Sequence, residues 1–324
     1  MGEGDMVNEF KNVLVTASPG HLESTTLRRA VRLAGSNSAR LTVIDVVKPV
    51  GRRLKSVEVE GSVVDIEDSL LRDSEDRLRH LAKAAGVGPD VVTTVMVGEP
   101  FVEVIHHVLA NGIDLVVIGE PPVPKGQTPV LSPGVMKLLR KCPVPLWVMR
   151  PSRARKLRVL ALVDPDPGDP VRDGLNHQVM DLAVSLVRSR AGELHIGHAW
   201  HLTGESTLRM SPYVGLPGPM VDAMVASVEE HHREQLEALA AQHHADDVSA
   251  SVHMVAGDAR DVLPGLVERV EAGVVVMGTV ARTGLSGLII GNTAEAILGS
   301  IRCSMLAVKP EGFVTPVKPE RKHP

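Results

Sequence analysis

The chain contains the same segment order twice, and that duplication constrains its fold more than any other feature. Gly98-Glu99-Pro100-Phe101 through Leu115-Val116-Val117-Ile118-Gly119 aligns with Gly257-Asp258-Ala259-Arg260 through Val274-Val275-Val276-Met277-Gly278 at a constant offset, without a gap. Three further pairs keep the order: Val13-Leu14-Val15 before Pro19 with Val159-Leu160-Ala161 before Pro165, Leu41 to Val46 with Leu194 to Ala199, and Cys142 to Val148 with Cys303 to Val308. Four ordered matches make chance similarity a poor explanation. At 324 residues the chain has room for two domains of roughly 150 residues each. The expected division is a first domain over 1–150, a second over 156–311 and a tail over 312–324. The basic, Pro-containing run Arg150-Pro151-Ser152-Arg153-Ala154-Arg155 forms the joint, and three prolines make the tail irregular.

Within the first copy, short β-rich runs alternate with helical patterns. Strands are predicted near 12–17, 41–47, 92–97, 115–119 and 145–149, with helices near 21–35, 68–86, 100–111 and 134–141. Continuous apolar strands separated by helices predict an α/β fold, a doubly wound parallel sheet with helices on both faces. Ligands in such sheets sit beyond the C-terminal ends of the strands. In the second copy that position holds Met277-Gly278-Thr279-Val280-Ala281-Arg282-Thr283-Gly284-Leu285-Ser286-Gly287-Leu288-Ile289-Ile290-Gly291-Asn292-Thr293. It follows the apolar run Val274-Val275-Val276 and precedes a helical stretch opened by Asn292 or Thr293 as N-cap. A strand, a Gly-rich loop and a helix N-terminus together form an anion cradle, because exposed backbone N–H groups and the helix dipole both favour phosphate.

The spacing of Gly278, position 281 and Gly291-Asn292 resembles the G-x2-G-x9-G-[ST/N] loop of the universal stress protein family, and the tandem copies are most similar to its E-type members. The resemblance extends over nearly the whole chain, through Arg302-Cys303 before the last strand and Lys309-Pro310 after it. It implies two tandem adenine-nucleotide α-hydrolase-like domains whose last strands, 145–149 and 304–308, meet in an intramolecular pseudo-dimer. It further implies that Val163-Asp164, at the end of the second copy's first strand, borders the adenine or ribose of a nucleotide, and that Ala199 flanks the base. Met277 and Gly278 end the central strand, Gly278 and Gly291 bring amides to the phosphates, and Asn292 and Thr293 add side-chain donors. Each residue has a plainer reading. Asp164 can be a turn acid in Asp164-Pro165-Asp166-Pro167-Gly168, the glycines can serve a tight crossover, and Arg282 is either a phosphate partner or a solvated loop arginine. One family glycine is replaced by Ala281. If that position has φ > 0, alanine costs about 1 kcal/mol or more.

The first copy departs further. Ser18 stands where Asp164 stands, and Gly119 is followed by Glu120-Pro121-Pro122-Val123-Pro124. Prolines remove backbone donors and a carboxylate repels phosphate, so no nucleotide site is expected there. The insert 201–221 is read as a lid beside the second site or as a surface loop, with Met210 and Met220 suited to irregular apolar ligands. His198 is read as a strand-end structural histidine. His231-His232 and His243-His244 are expected on a solvated helix face, because residues 11 or 12 apart lie about 16–18 Å apart along a helix and cannot share a metal. Cys142 and Cys303 occupy matching positions, which suggests a structural role.

Composition narrows the function. A net charge of −4 and 2% aromatic residues argue against nucleic-acid binding by a basic face or a stacking platform. No run of about 20 apolar residues offers a membrane span, and the acidic, polar Met1–Phe10 is no secretory signal. Two cysteines fit a reducing compartment, with the cytoplasm as default. The leading expectation is a non-catalytic cytoplasmic stress-response protein that binds ATP or a related phosphorylated ligand in its second domain. No cofactor is required, and Mg²⁺ would accompany ATP. The alternatives are a binder of a larger phosphorylated amphiphile, such as a nucleotide-sugar lipid, and a weak ATP hydrolase. A homodimer and an unidentified regulatory protein complete the candidate partners.

Overall fold

The computed structural model describes residues 10–51, 56–59, 62–88, 91–124, 126–151, 156–210, 215–279 and 291–318. In chain order the elements of the first repeat are β1 (Asn12–Thr16), α1 (Ser24–Ser36), β2 (Arg40–Val47), β3 (Ser56–Val59), β4 (Ser62–Asp65), α2 (Ile66–Ala85), β5 (Val92–Val97), α3 (Pro100–Asn111), β6 (Leu115–Gly119), α4 (Pro133–Lys141) and β7 (Leu146–Met149). The second repeat gives β8 (Arg158–Leu162), α5 (Pro170–Arg188), β9 (Glu193–Trp200), α6 (Glu205–Met210), α7 (Gly218–Gln242), β10 (Ala250–Ala256), α8 (Ala259–Arg269), β11 (Val274–Gly278), α9 (Asn292–Ser300) and β12 (Ser304–Val308). The expected alternation of strand and helix is present in both repeats.

Two compact units form, and they do not follow the repeats to the end. The first comprises Met1–Arg153, Thr279–Gly291 and Arg302–Pro324, and the second comprises Ala154–Gly278 and Asn292–Ile301. In the first unit the strand order is β12-β7-β6-β1-β2-β5, parallel except where β12 joins. There Met305 lies opposite Val148, Leu306 opposite Trp147 and Ala307 opposite Leu146 in an antiparallel ladder. This is the pseudo-dimer joint: the last strand of one repeat covers the last strand of the other, which would otherwise present an open edge. The second unit has the order β10-β9-β8-β11, all parallel.

Local chemistry accounts for the element ends. Asp65, Asp169 and Asp258 accept backbone N–H bonds at the starts of α2, α5 and α8, and Ser132 does the same for α4. Gly86 and Gly112 close α2 and α3 in the left-handed conformation that glycine adopts without a Cβ penalty. Val13, Leu14, Val15 and Leu115 to Ile118 are buried on both sheet faces, which is why these strands read as continuous apolar runs.

Two departures concern the segments after the second strand. In the first repeat a β3–β4 hairpin precedes α2. In the second, the insert 201–221 is largely helical among its described residues. Pro219 in the first turn lets α7 start at Gly218, and Arg209 joins Glu205 of its own helix and Asp222 of α7, each at 2.8 Å. Of the tail, Gly312–Lys318 holds no helix or strand, and the Lys318 carbonyl lies 3.0 Å from His106 Nε2.

Candidate functional site

In the second unit the chain leaves β8 through Val163, whose N–H donates to the Gly197 carbonyl at 3.0 Å and extends the ladder by one residue. Asn176, buried on α5, then holds Asp164 from both sides. The Asp164 N–H donates to Asn176 Oδ1 at 3.0 Å, and Asn176 Nδ2 donates to the Asp164 carbonyl at 2.9 Å. The backbone is therefore fixed while the Asp164 side chain stays 37% exposed. Arg172 gathers the acids of this turn, 2.6 Å from Asp166, 3.7 Å from Asp169 and 3.9 Å from Asp164. Asp164 thus opens an acidic turn, as the plainer reading expects, and its carboxylate is partly exposed at a strand end.

His198 sits beneath it, 1% exposed. Its Nδ1 lies 3.0 Å from the Val163 carbonyl, which can only accept, so Nδ1 carries the proton. Nε2 lies 2.9 Å from Nδ1 of His232 on α7, and Asp164 Oδ1 is 4.0 Å from Nδ1. His198 thus braces the strand end from inside. The expectation of a solvated face for all four helix-run histidines is corrected here. His232 turns inward to His198, and His243, just past α7, stands 2.7 Å from His177 and 3.0 Å from Asp181. Neither contact is visible in helix periodicity, because both partners lie on other elements.

Ala199 follows His198 on β9 and is half-buried, and Met277 is buried at the end of β11. Gly278 has a packing role: a Cβ there would stand 2.5 Å from Leu175 Cδ2, so its absence lets α5 approach the strand end. Asn292 and Thr293 open α9, where the first turn leaves backbone N–H groups without helical partners. In the first unit, Gly291 donates its N–H to the Thr279 carbonyl at 3.3 Å, and Thr279 donates through N–H and Oγ1 to the Val308 carbonyl at 3.0 and 3.2 Å. The loop ends are thereby pinned to each other and to β12. Ala281 and Arg282 lie outside the described residues.

The corresponding place in the first unit is filled by its own chain. His21 donates its N–H to the Gly119 carbonyl at 2.7 Å, and a Cβ at Gly119 would overlap the His21 carbonyl. A Cβ at Gly20 would strike Ile118, one at Gly134 would strike Pro19, and Ser132 Oγ donates to the Pro19 carbonyl at 3.2 Å. Glu120 does not face solvent as a repelling charge. It is buried, and burial raises its carboxyl while the Arg150 charge, hydrogen bonds from Ser132 and the His21 charge oppose that rise. A carboxylate of the chain thus occupies the N-terminus of α4, as an anion would. Arg302 closes the proline segment by donating to the carbonyls of Pro124 at 3.0 Å and Gln127 at 2.5 Å.

The polar brace is also rebuilt. Asp45 of β2 aligns with His198 and is fully buried. It accepts from Ser18 at 2.7 Å, from Ser74 at 2.5 Å and from Arg77, the last two on α2. Burial alone would raise its carboxyl, but the hydrogen bonds from Ser74 and Ser18 and the Arg77 charge hold it below the ordinary value. Acid and partner have exchanged places between repeats, Ser18 with Asp45 in one and Asp164 with His198 in the other.

Among the described residues no group of three or more His, Cys, Asp or Glu side chains could hold a metal ion. Burial pushes the Cys142 thiol up to about 11, which keeps it protonated and unreactive near neutrality. No helix among the described residues is long and apolar enough to cross a membrane.

Comparison with known proteins agrees with this architecture. The family model described as "Universal stress protein family" matches residues 9–150 and 170–309. The chain is 28% identical to universal stress protein E of Salmonella typhi, over 95% of this chain and 97% of that one. It is 27% identical to universal stress protein E of Escherichia coli K12, with the same coverage of each chain. A crystal structure of a protein from Pseudomonas aeruginosa PAO1, described as functionally unknown, is similar with a TM-score of 0.66 and 25% identity, covering 94% of this chain and 95% of that one. A universal stress protein from Archaeoglobus fulgidus shares the fold at 17% identity with a TM-score of 0.60, covering 92% of this chain and 98% of that one. With both repeats matched by one family model and the E-type relatives aligned nearly end to end, the chain belongs to the universal stress protein family.

Proposed function

We propose that this stress protein binds a nucleotide or related phosphorylated ligand in its second repeat, at the C-terminal ends of β8, β9 and β11, and acts without catalysing a reaction on it. The observation that carries this reading is the difference between the two repeats at the C-terminal ends of their strands. Asp164 is clamped by Asn176 yet keeps an exposed carboxylate, whereas residues 19–21 pack down onto the end of β6 in the first unit. The exposed carboxylate on a fixed backbone suits ribose hydroxyls or an amino group, and the first turn of α9 suits phosphate. Val163, Ala199 and Met277 would border the base, Gly278, Gly291, Asn292 and Thr293 the phosphates. Ala281 and Arg282 stand in the loop between them. With ATP, Mg²⁺ would accompany the phosphates. The proposed setting is the cytoplasm, with a second copy of the chain or a regulatory protein reading the bound state.

The test is calorimetric titration of the full chain with ATP and ADP, after mass spectrometry of whatever small molecule the denatured protein releases. Binding that falls at least about tenfold in Asp164→Ala and vanishes in Gly291→Asp supports the site. Undiminished ATP affinity in both variants overturns it. A second reading, a larger phosphorylated amphiphile, is favoured by the exposure of Met210 at 83% and Met220 at 54% on α6 and α7. A released lipid-bearing ligand with no ATP binding selects that reading. Sustained phosphate release over many turnovers would instead mark a weak ATP hydrolase.

A further inference from the structure

The second unit places imidazole against imidazole three times among its described residues: His177 Nδ1 to His243 Nε2 at 2.7 Å, His195 Nδ1 to His253 Nε2 at 3.0 Å, and His198 Nε2 to His232 Nδ1 at 2.9 Å. Two of the pairs hold α7. His232 lies on α7 and meets β9, while His243 is its C-cap and meets α5. Only Val221, Leu236 and Leu239 of the 25 residues of α7 are buried, and Asp222 near its start pairs with Arg209. Beside its C-terminal end, His243 and Val248 join Leu194, Ile196 and Val252 around a largely apolar pocket of about 460 Å³ that is already partly open to solvent, Val252 being 46% exposed.

A hydrogen bond between two imidazoles requires one donor and one acceptor nitrogen. His243 Nδ1 faces Asp181 Oδ1 at 3.0 Å and donates to it, which leaves Nε2 to accept from His177 Nδ1–H. His177 Nε2 in turn faces Asp173 at 3.6 Å. The series Asp173–His177–His243–Asp181 therefore accommodates one proton beyond two neutral rings. A second proton sets two N–H groups against each other, and the contact is lost. The same rule applies at His198, whose Nδ1 is committed to the Val163 carbonyl and whose nearest carboxylate is Asp164. The other charged groups around the end of α7 are engaged elsewhere: His244 with Asp246 at 3.4 Å, and Asp247 with Arg188 of α5 at 3.0 Å. His231 bonds Gln235 on the exposed side of α7.

We propose that the C-terminal end of α7 is an acid-released cover: protonation splits the His177–His243 pair, frees this end of α7 from α5, and widens the apolar pocket beside it. The direction agrees with the environment of His243. Burial holds its imidazole below the ordinary value of 6.5, and the His177 charge adds to this while Asp181 opposes it. The neutral form is thus favoured in the closed state, so the hold is complete above 6.5 and weakens as pH falls below it.

Hydrogen–deuterium exchange on the full chain, corrected for intrinsic rates and compared between about pH 7.5 and about pH 5, reads the opening directly. Protection over residues 236–248 is expected to fall about tenfold or more in acid, with a parallel rise in binding of a hydrophobic dye, while α2 keeps its protection. His177→Gln and His243→Gln should each remove most of that pH dependence, and the double variant should remove no more than either alone. An equal acid response in the unchanged chain and both variants, or an α7 that stays protected, overturns the proposal. Ring NMR on the unchanged chain guards against a misfolded variant. If His243 gains its proton with no loss of α7 protection, the cover is not proton-controlled.

Discussion

The two repeats end their central strands on matched glycines, Gly119 and Gly278, and need them for different reasons. Gly119 lies under the backbone of residues 20–21, which fold down over the strand end, while Gly278 lies against the tip of a leucine on α5. Around Gly119 the chain supplies its own carboxylate, Glu120, at the N-terminus of α4. Around Gly278 the nearby acid, Asp164, stays outside. One alignment column thus covers a strand end packed by its own backbone and one packed by a helix side chain. A glycine aligned with a ligand loop says that something approaches closely, and only packing says what.

The largest expected effect breaks the self-packed end of the first repeat. Glu120→Ala removes the carboxylate that balances part of the buried Arg150 charge and accepts from Ser132, and should cost about 1–3 kcal/mol, read as a lower urea midpoint for the first unit. A change under about 1 kcal/mol would mean that solvent or another group already balances Arg150. Next comes the glycine pair. Gly119→Ala forces a Cβ into the His21 carbonyl and should cost about 1–3 kcal/mol, whereas Leu175 can rotate away from Gly278→Ala for less than about 1 kcal/mol. Equal costs would erase the contrast.

Acid should separate the units. The Asp45 carboxyl is held below its ordinary 3.8, so its contribution is present above that value and is lost only as pH falls through the lower folded value. His243 loses its contribution below 6.5, a range in which Asp45 is still ionised. The second unit should therefore loosen at mildly acidic pH and the first only near strong acid, which unit-resolved hydrogen exchange during a pH titration would reveal. The smallest stability effect belongs to Asp164→Ala, within about 0.5 kcal/mol because the carboxylate is exposed and the Asn176 clamp grips only its backbone. A large loss of stability there would make Asp164 a structural acid rather than a ligand group.

Much of this fold was legible in the sequence. Continuous valine, leucine and isoleucine runs separated by helical periods specified buried parallel strands, and the repeat specified that the arrangement occurs twice. The strand-ending acid Asp164 and the glycines were legible as well, because turn chemistry and close approach leave local marks. Asn176, Arg172 and His232 were not. Each meets the site from a helix whose own sequence gives no sign of which strand end it will face. Glu120 was visible as a carboxylate in the wrong place for phosphate, but its burial over α4 depends on Arg150, Ser132 and His21 arriving from three other segments.

By itself, the sequence determined the repeated α/β unit and the loss of the Gly-rich loop from the first copy, since both follow from local pattern and alignment, whereas the meeting of the last strands was implied only by the family resemblance. Tertiary structure alone decided that the first copy fills its vacant end with its own backbone and carboxylate. It also decided that histidines spread from 177 to 243 hold α7 in pairs. The reason is that a contact energy depends on distance in space, and residues far apart in sequence acquire that distance only when strands and helices pack.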